Sequence, residues 1–217
     1  MNRNITVTGT ASIKAKPDST RFEFTLSGRK ESCAAAFSEA EEKSASAKEG
    51  VKAAGFSEDS LKTASFSVEP EYENGRDLKT GTYINKLVGY RYSHTLFVEY
   101  KLDNNLTGAL ADALAASGAE PQSIRISFFA ENKDELSDRL IENAVKDAAR
   151  KAMVIAAASE AQLGEIIEIR YSSAEKENPF TAGASVNLRE ARCFSGIDFS
   201  PADITETDSV TVTWALF

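Results

Sequence analysis

The sequence predicts an α+β fold of two sheet-plus-helix halves, in the order ββαββ followed by αβαββ. Three observations carry that prediction. Several segments alternate apolar and polar residues with a period of two, as half-buried strands do. Long segments between them instead repeat apolar residues at spacings of three and four, which marks one face of a helix. The two periods come in blocks that suit mainly antiparallel sheets packed by long helices better than a doubly wound parallel sheet.

In the first strand Ile5, Val7 and Gly9 share one face, with Thr6 and Thr8 on the other. Phe22, Phe24 and Leu26 alternate with Arg21, Glu23 and Thr25 in the second, and Pro17-Asp18 between them supplies turn chemistry. The period then changes. Cys33, Phe37, Ala40, Ser44, Ala47, Val51 and Ala54 form one face of a helix, with Ser32 placed to cap it and Gly55 to end it. Phe66 and Val68 belong to a third strand. Val88, Tyr90, Tyr92, His94, Leu96, Val98 and Tyr100 share one parity of a long fourth strand. Asn74-Gly75 and Thr80-Gly81 make the connection a hairpin with a long tip.

The second half opens with a short helix carrying Leu106, Leu110, Ala113 and Leu114, closed by Gly118. Ile124, Ile126 and Phe128 form a strand. Leu136, Leu140, Ala144, Ala148, Ala152 and Ile155 line the next helix, reinforced by Ile141 and Val145. Glu135–Arg139, Glu142–Lys146 and Asp147–Lys151 are i,i+4 pairs of favourable orientation on it. Asn132 and Glu135 are spaced as a near capping box, and Gly164 is placed to end the helix. Ile167, Ile169 and Tyr171 make a strand, the stretch 172–203 reads as irregular, and Val210, Val212, Trp214 and Leu216 form the last strand. Residues 1–217 read as one domain, with subdomains dividing near 102 and 103.

Composition narrows the function. The chain has 217 residues, 42% hydrophobic and 27% charged, so a packed core rather than disorder is expected. With 33 acidic and 25 basic residues the net charge is −8, which repels nucleic-acid backbones and anionic lipid headgroups. Cys33 and Cys193 are the only cysteines; they read as two reduced side chains or one bridge. The apolar run from Ala152 to Ala158 is far shorter than the roughly 20 residues of a membrane span, so no membrane insertion is expected. No apolar signal core precedes Ile5, which points to the cytoplasm; a trimmed leader would point to the periplasm or the exterior.

No chemistry-bearing constellation is visible, and no catalytic, cofactor-binding or metal-binding residue is assigned. His94, the single histidine, sits mid-strand without a nucleophile and orienting acid of matching spacing. One His and two distant Cys are too few for a zinc site. Glu41-Glu42, Glu58-Asp59 and Asp134-Glu135 read as solvated faces, because neighbours on a helix do not face each other. Gly75, Gly81 and Gly89 are too widely spaced for a dinucleotide fingerprint. Tyr72, Tyr83, Tyr90 and Tyr92 flank the hairpin tip. They form either a sheet face under a helix or a contact between subunits, where tyrosine is enriched.

In order along the chain, Ile5-Thr6-Val7-Thr8-Gly9, Lys16-Pro17-Asp18, Leu61-Lys62-Thr63, Val68-Glu69-Pro70-Glu71-Tyr72 and Gly89-Tyr90-Arg91-Tyr92 resemble the SIMPL-domain (DUF541) family. So do Ser117-Gly118-Ala119, Arg150-Lys151-Ala152 in its helix, and the closing Val210-Thr211-Val212. The family includes bacterial periplasmic antigen-like proteins. The resemblance implies a two-part α+β fold, assembly into ring-like homo-oligomers and no established enzymatic activity. Two departures stand out: relatives usually carry a signal peptide, and Pro201-Ala202 stands where Pro-Gly is frequent. The expected function is therefore a non-enzymatic assembly or interaction protein that self-associates, with the four tyrosines as its contact and no cofactor. The competing readings are a small-molecule or peptide binding module using 172–203, and an enzyme with an unrecognised site.

Overall fold

The computed structural model describes residues 3–76, 83–171, 181–186 and 199–217. Within them lie β1 (Arg3–Ala15), β2 (Ser19–Lys30), α1 (Cys33–Ala53), β3 (Lys62–Arg76), β4 (Tyr83–Lys101) and α2 (Asn104–Ala116). They are followed by β5 (Ser123–Phe129), α3 (Lys133–Ala158), β6 (Leu163–Arg170), β7 (Thr181–Val186) and β8 (Ile204–Leu216). The class is α+β, and the order of the first half is the one expected. The second half gains a strand: β7 lies inside the stretch 172–203 that alternation left irregular. Its Thr181-Ala182-Gly183-Ala184-Ser185-Val186 has almost no apolar contrast to reveal a period.

The chain forms two compact units that interleave in sequence. One comprises 1–18, 129–182 and 201–217; the other comprises 19–128 and 183–200. The division expected near 102 and 103 falls inside the second unit. The reason is the partner of β1. It pairs antiparallel with β8 along its whole length, from Arg3↔Leu216 to Ala15↔Ile204, and so joins the last strand rather than β2. Pro17-Asp18 is accordingly not a hairpin turn. The Asp18 N–H donates to the Phe129 carbonyl at 3.1 Å, and its carboxylate accepts from the Glu131 N–H at 3.0 Å.

In the first unit the sheet runs β1-β8-β6, with α3 on one face. Val7, Val210, Val212 and Trp214 meet Ala144, Ala148 and Ala152 in its core. The alanines bring the helix close. A Cβ on Gly9 would stand 2.0 Å from the Ala144 carbonyl oxygen, so β1 and α3 touch backbone to backbone there. The other face is polar, with Thr6 bonded to Thr213 and Thr8 to Thr211 at 2.9 Å each. Ala156 continues the buried stripe of α3, and Ile155 is 48% exposed although it was expected on that stripe. Asn132 makes no side-chain cap. The helix stops before Gly164. Glu160 takes φ 54°, and the N–H groups of Glu160 and Ala161 donate to Ala157 and Ala156, as in a Schellman ending.

In the second unit the sheet runs β3-β4-β2-β5-β7, with α1 and α2 contributing to one core. Phe22, Phe24, Leu26, Tyr92, Leu96 and Val98 are buried in it, as their parity predicts. On the other face Arg21 lies over the Phe97 ring at 3.7 Å and pairs with Glu99 at 3.5 Å. The Ser32 hydroxyl caps α1 by accepting from the Ala35 N–H. The inward face of α1 is Ala36, Ala40, Ala47, Gly50 and Val51, whereas Phe37 is 51% exposed. Small residues face inward because α2 is close: a Cβ on Gly50 would lie 3.1 Å from the Ala113 carbonyl oxygen. Among the described residues no helix is long and apolar enough to cross a membrane.

Candidate functional site

β3 and β4 are longer than the strand beside them. The ladder between β2 and β4 ends at Lys30↔Tyr90. The ladder between β3 and β4 continues past it through Tyr72↔Leu87, Glu73↔Lys86 and Asn74↔Asn85 to Arg76↔Tyr83. Beyond Tyr90 the hairpin is thus a two-stranded arm among the described residues, leading to a tip at 77–82 that lies outside them. The arm departs at an irregularity. The register shifts between Glu71 and Tyr72, and Gly89 opposite Glu71 has φ 151°, which a side chain rarely tolerates. A Cβ on Gly89 would also stand 2.6 Å from the Lys30 carbonyl oxygen.

The base of the arm is held by charge. Arg91 donates to Glu71 at 2.6 Å, and Arg29 stands 3.9 Å from the same carboxylate. The bond from Arg91 holds the Glu71 carboxyl below the usual carboxylate range. Glu71 and Arg91, with Ser67, Glu69, Pro70 and Ser93, line an open cleft of about 240 Å³. That is smaller than the ~300–1,000 Å³ of typical ligand pockets.

The four tyrosines divide. Tyr72 is 54% exposed on the arm and faces Leu87, itself 42% exposed, across the ladder. Tyr83 begins β4 on the arm, opposite Arg76. Tyr90 packs partly buried at the edge of the core, and Tyr92 lies wholly within it. Burial, and then the charge of Glu39, push the Tyr92 hydroxyl up to about 12. Tyr92 is therefore a core residue, while Tyr72 is the described ring that a neighbour could reach.

His94 is placed by packing. Its Nε2 lies 3.1 Å from the Thr63 hydroxyl, and its ring meets Phe66 edge-on with centroids 5.1 Å apart. Burial lowers its pKa, so the neutral form is favoured. Glu41, Glu42, Glu58, Asp59, Asp134 and Glu135 are all exposed. Among the described residues no three His, Cys, Asp or Glu are grouped to hold a metal ion. Cys33 opens α1 and is exposed, and Cys193 lies outside the described residues. Of the stretch 172–203, residues 181–186 are spent on the sheet and Phe199 packs on Phe128, leaving 172–180 and 187–198 outside the described residues.

Two features escaped the sequence. The arm is one: alternation marks both strands but carries no sign of where β2 stops. The exposure of β6 is the other. Ile167, Ile169 and Tyr171 alternate as a half-buried strand would, yet they are 59%, 53% and 42% exposed.

A family model described as SIMPL, a protein of unknown function (DUF541), matches residues 5–214. The chain is also similar to the uncharacterized protein YggE of Edwardsiella ictaluri (strain 93-146). They are 26% identical over 168 residues, which cover 77% of this chain and 67% of that protein.

Proposed function

The chain belongs to the SIMPL family (DUF541), whose function is unknown, and from that premise we propose that it acts by non-enzymatic self-assembly, with the β3–β4 arm as the contact between copies. One observation carries this reading: the arm projects as two strands with an exposed Tyr72–Leu87 pair near its base. A two-stranded ribbon is marginal in water, and a third strand or a packed face stabilises it. Covering the pair removes apolar area worth about 25 cal/mol per Å² from water. A second copy suits the arm because Glu73 stands opposite Lys86, a pairing of charges that a neighbouring arm can meet in kind. Ring assembly is also what the family resemblance implies. A net charge of −8 disfavours nucleic acid and anionic lipid as the partner.

The test uses the full chain, a deletion of residues 74–82, and the pair Tyr72→Ser with Leu87→Ser. Light scattering after size exclusion gives the mass of each, and circular dichroism checks that each folds. The full chain is expected above its 23.5 kDa monomer mass, and both variants below the full chain's value. An assembly unchanged by either variant sinks the reading.

A further inference from the structure

Among the described residues, the first unit carries an apolar strip that stays exposed. Helix α3 packs on β1 and β8 and barely reaches β6. Ile169 stands opposite Val212, on the side of the sheet that α3 covers, and Ile166 stands opposite Trp214. Val212 and Trp214 are buried, whereas Ile166 and Ile169 are each more than half exposed. The nearby turns of α3 are apolar as well. Met153, Val154 and Ile155 are all about half exposed or more. Successive helical residues turn by about 100°, so Met153 and Ile155 lie on opposite flanks of buried Ala152, and the flank toward β6 carries one of them.

β6 is also the edge of its sheet: β8 pairs one side, and among the described residues no strand pairs the other. Register shifts interrupt β6 up to Glu168, leaving Glu168, Ile169 and Arg170 as its regular stretch. An exposed apolar edge is a template for another strand. Glu168 and Arg170 lie on the opposite side from Ile169, with Thr213 and Thr211. They form an ion pair at 2.8 Å within their own strand.

We propose that β6 pairs antiparallel with β6 of a second copy, with Ile169 on the two-fold axis. Charge complementarity selects this occupant and this register. Setting Ile169 against itself puts Glu168 opposite the second copy's Arg170, and Arg170 opposite the second copy's Glu168. Two intrastrand ion pairs then become a ring of four alternating charges. On the other side Ile169 meets Ile169. A two-fold between antiparallel strands stands perpendicular to the sheet, so the three-stranded sheets join into six strands with both α3 helices on one face. The uncovered isoleucines fall between the helices, which is where the strip needs its cover. This contact rests on the reading that the chain self-associates, and it is separate from the arm.

The test is a site-specific crosslink in the full chain carrying Cys33→Ser and Cys193→Ser. Ile169→Cys is expected to give a covalent dimer under mild oxidation. Ile166→Cys, which this register places away from its own copy, is expected to stay monomeric on a denaturing gel. Adding Glu168→Arg to Ile169→Cys sets like charges face to face and should lower the yield; adding Arg170→Glu as well should restore it. Absence of the Ile169→Cys dimer, an equal yield at Ile166→Cys, or failure of the double exchange to restore the yield overturns the proposal. Each comparison is repeated with residues 74–82 deleted. A crosslink that survives the deletion upholds the β6 contact whatever the deletion does to the mass, so the two contacts fail separately.

Discussion

At Gly9 a hydrogen atom occupies space that a methyl group cannot share, because the Ala144 carbonyl and the Ala148 nitrogen lie within 2.3 Å of where it would be. Both are helix backbone, so neither can rotate away. Gly9→Ala should therefore push α3 off β1 and lower stability by about 3 kcal/mol, the upper range for overpacking. Urea unfolding monitored by circular dichroism measures it. A loss below about 0.5 kcal/mol, typical of a surface substitution, would contradict the close approach. His94 gives a second residue-scale prediction. Its pKa in the fold lies below its ordinary 6.5, through burial. The unfolded chain thus takes up a proton more readily than the folded one, and the contribution is complete above 6.5 and lost as pH falls through and below it. Stability should decline from pH 7.5 toward pH 5.5, and His94→Leu should flatten that stretch of the profile. A wild-type profile as flat as the variant's would contradict it. The sequence located both residues correctly on their strands. What Gly9 is for could not be read from it, since the atoms it makes room for lie more than a hundred positions away.

At the scale of elements, α3 shows how local rules succeed and where they stop. The expected pairs Glu142–Lys146 and Asp147–Lys151 both form, at 2.6 and 2.7 Å. Asp147 does more than the i,i+4 rule anticipates: it also accepts from Arg150 on its own helix and from the Thr10 N–H of β1. The Lys151 bond first, then the Thr10 N–H and Arg150, hold its carboxyl far below the ordinary 3.8. A depressed carboxylate stabilises the fold above its unfolded pKa, and that contribution is lost as pH falls through the folded value. Asp147→Asn should lower stability at pH 7 and reduce the loss on acidification below pH 4. Equal acid sensitivity in variant and wild type would contradict the role. Ile155 and β6 mark the limit of the periodicity argument. Period says which residues share a face; it does not say whether another element covers that face. Covering is a tertiary fact, and among the described residues α3 leaves the apolar side of β6 largely exposed.

At the scale of the whole molecule, the two sheet-plus-helix layers were legible and their chain path was not. Alternation labels β1 and β2 as strands, and an intervening Pro-Asp invites a hairpin. Yet β1 completes its ladder with β8, some two hundred residues later, and the units interleave. A pattern of period two fixes the side of a strand that is buried, not the strand it lies beside. The tyrosine-flanked hairpin was visible in the sequence as a cluster. The structure divides that cluster into a core residue, Tyr92, and an arm residue, Tyr72. Self-assembly through that arm is the central claim, and the mass in solution tests it most directly. Light scattering should find the full chain as a defined multiple of 23.5 kDa and the chain lacking residues 74–82 at a smaller multiple. A full chain that runs as a monomer across the micromolar range would contradict it.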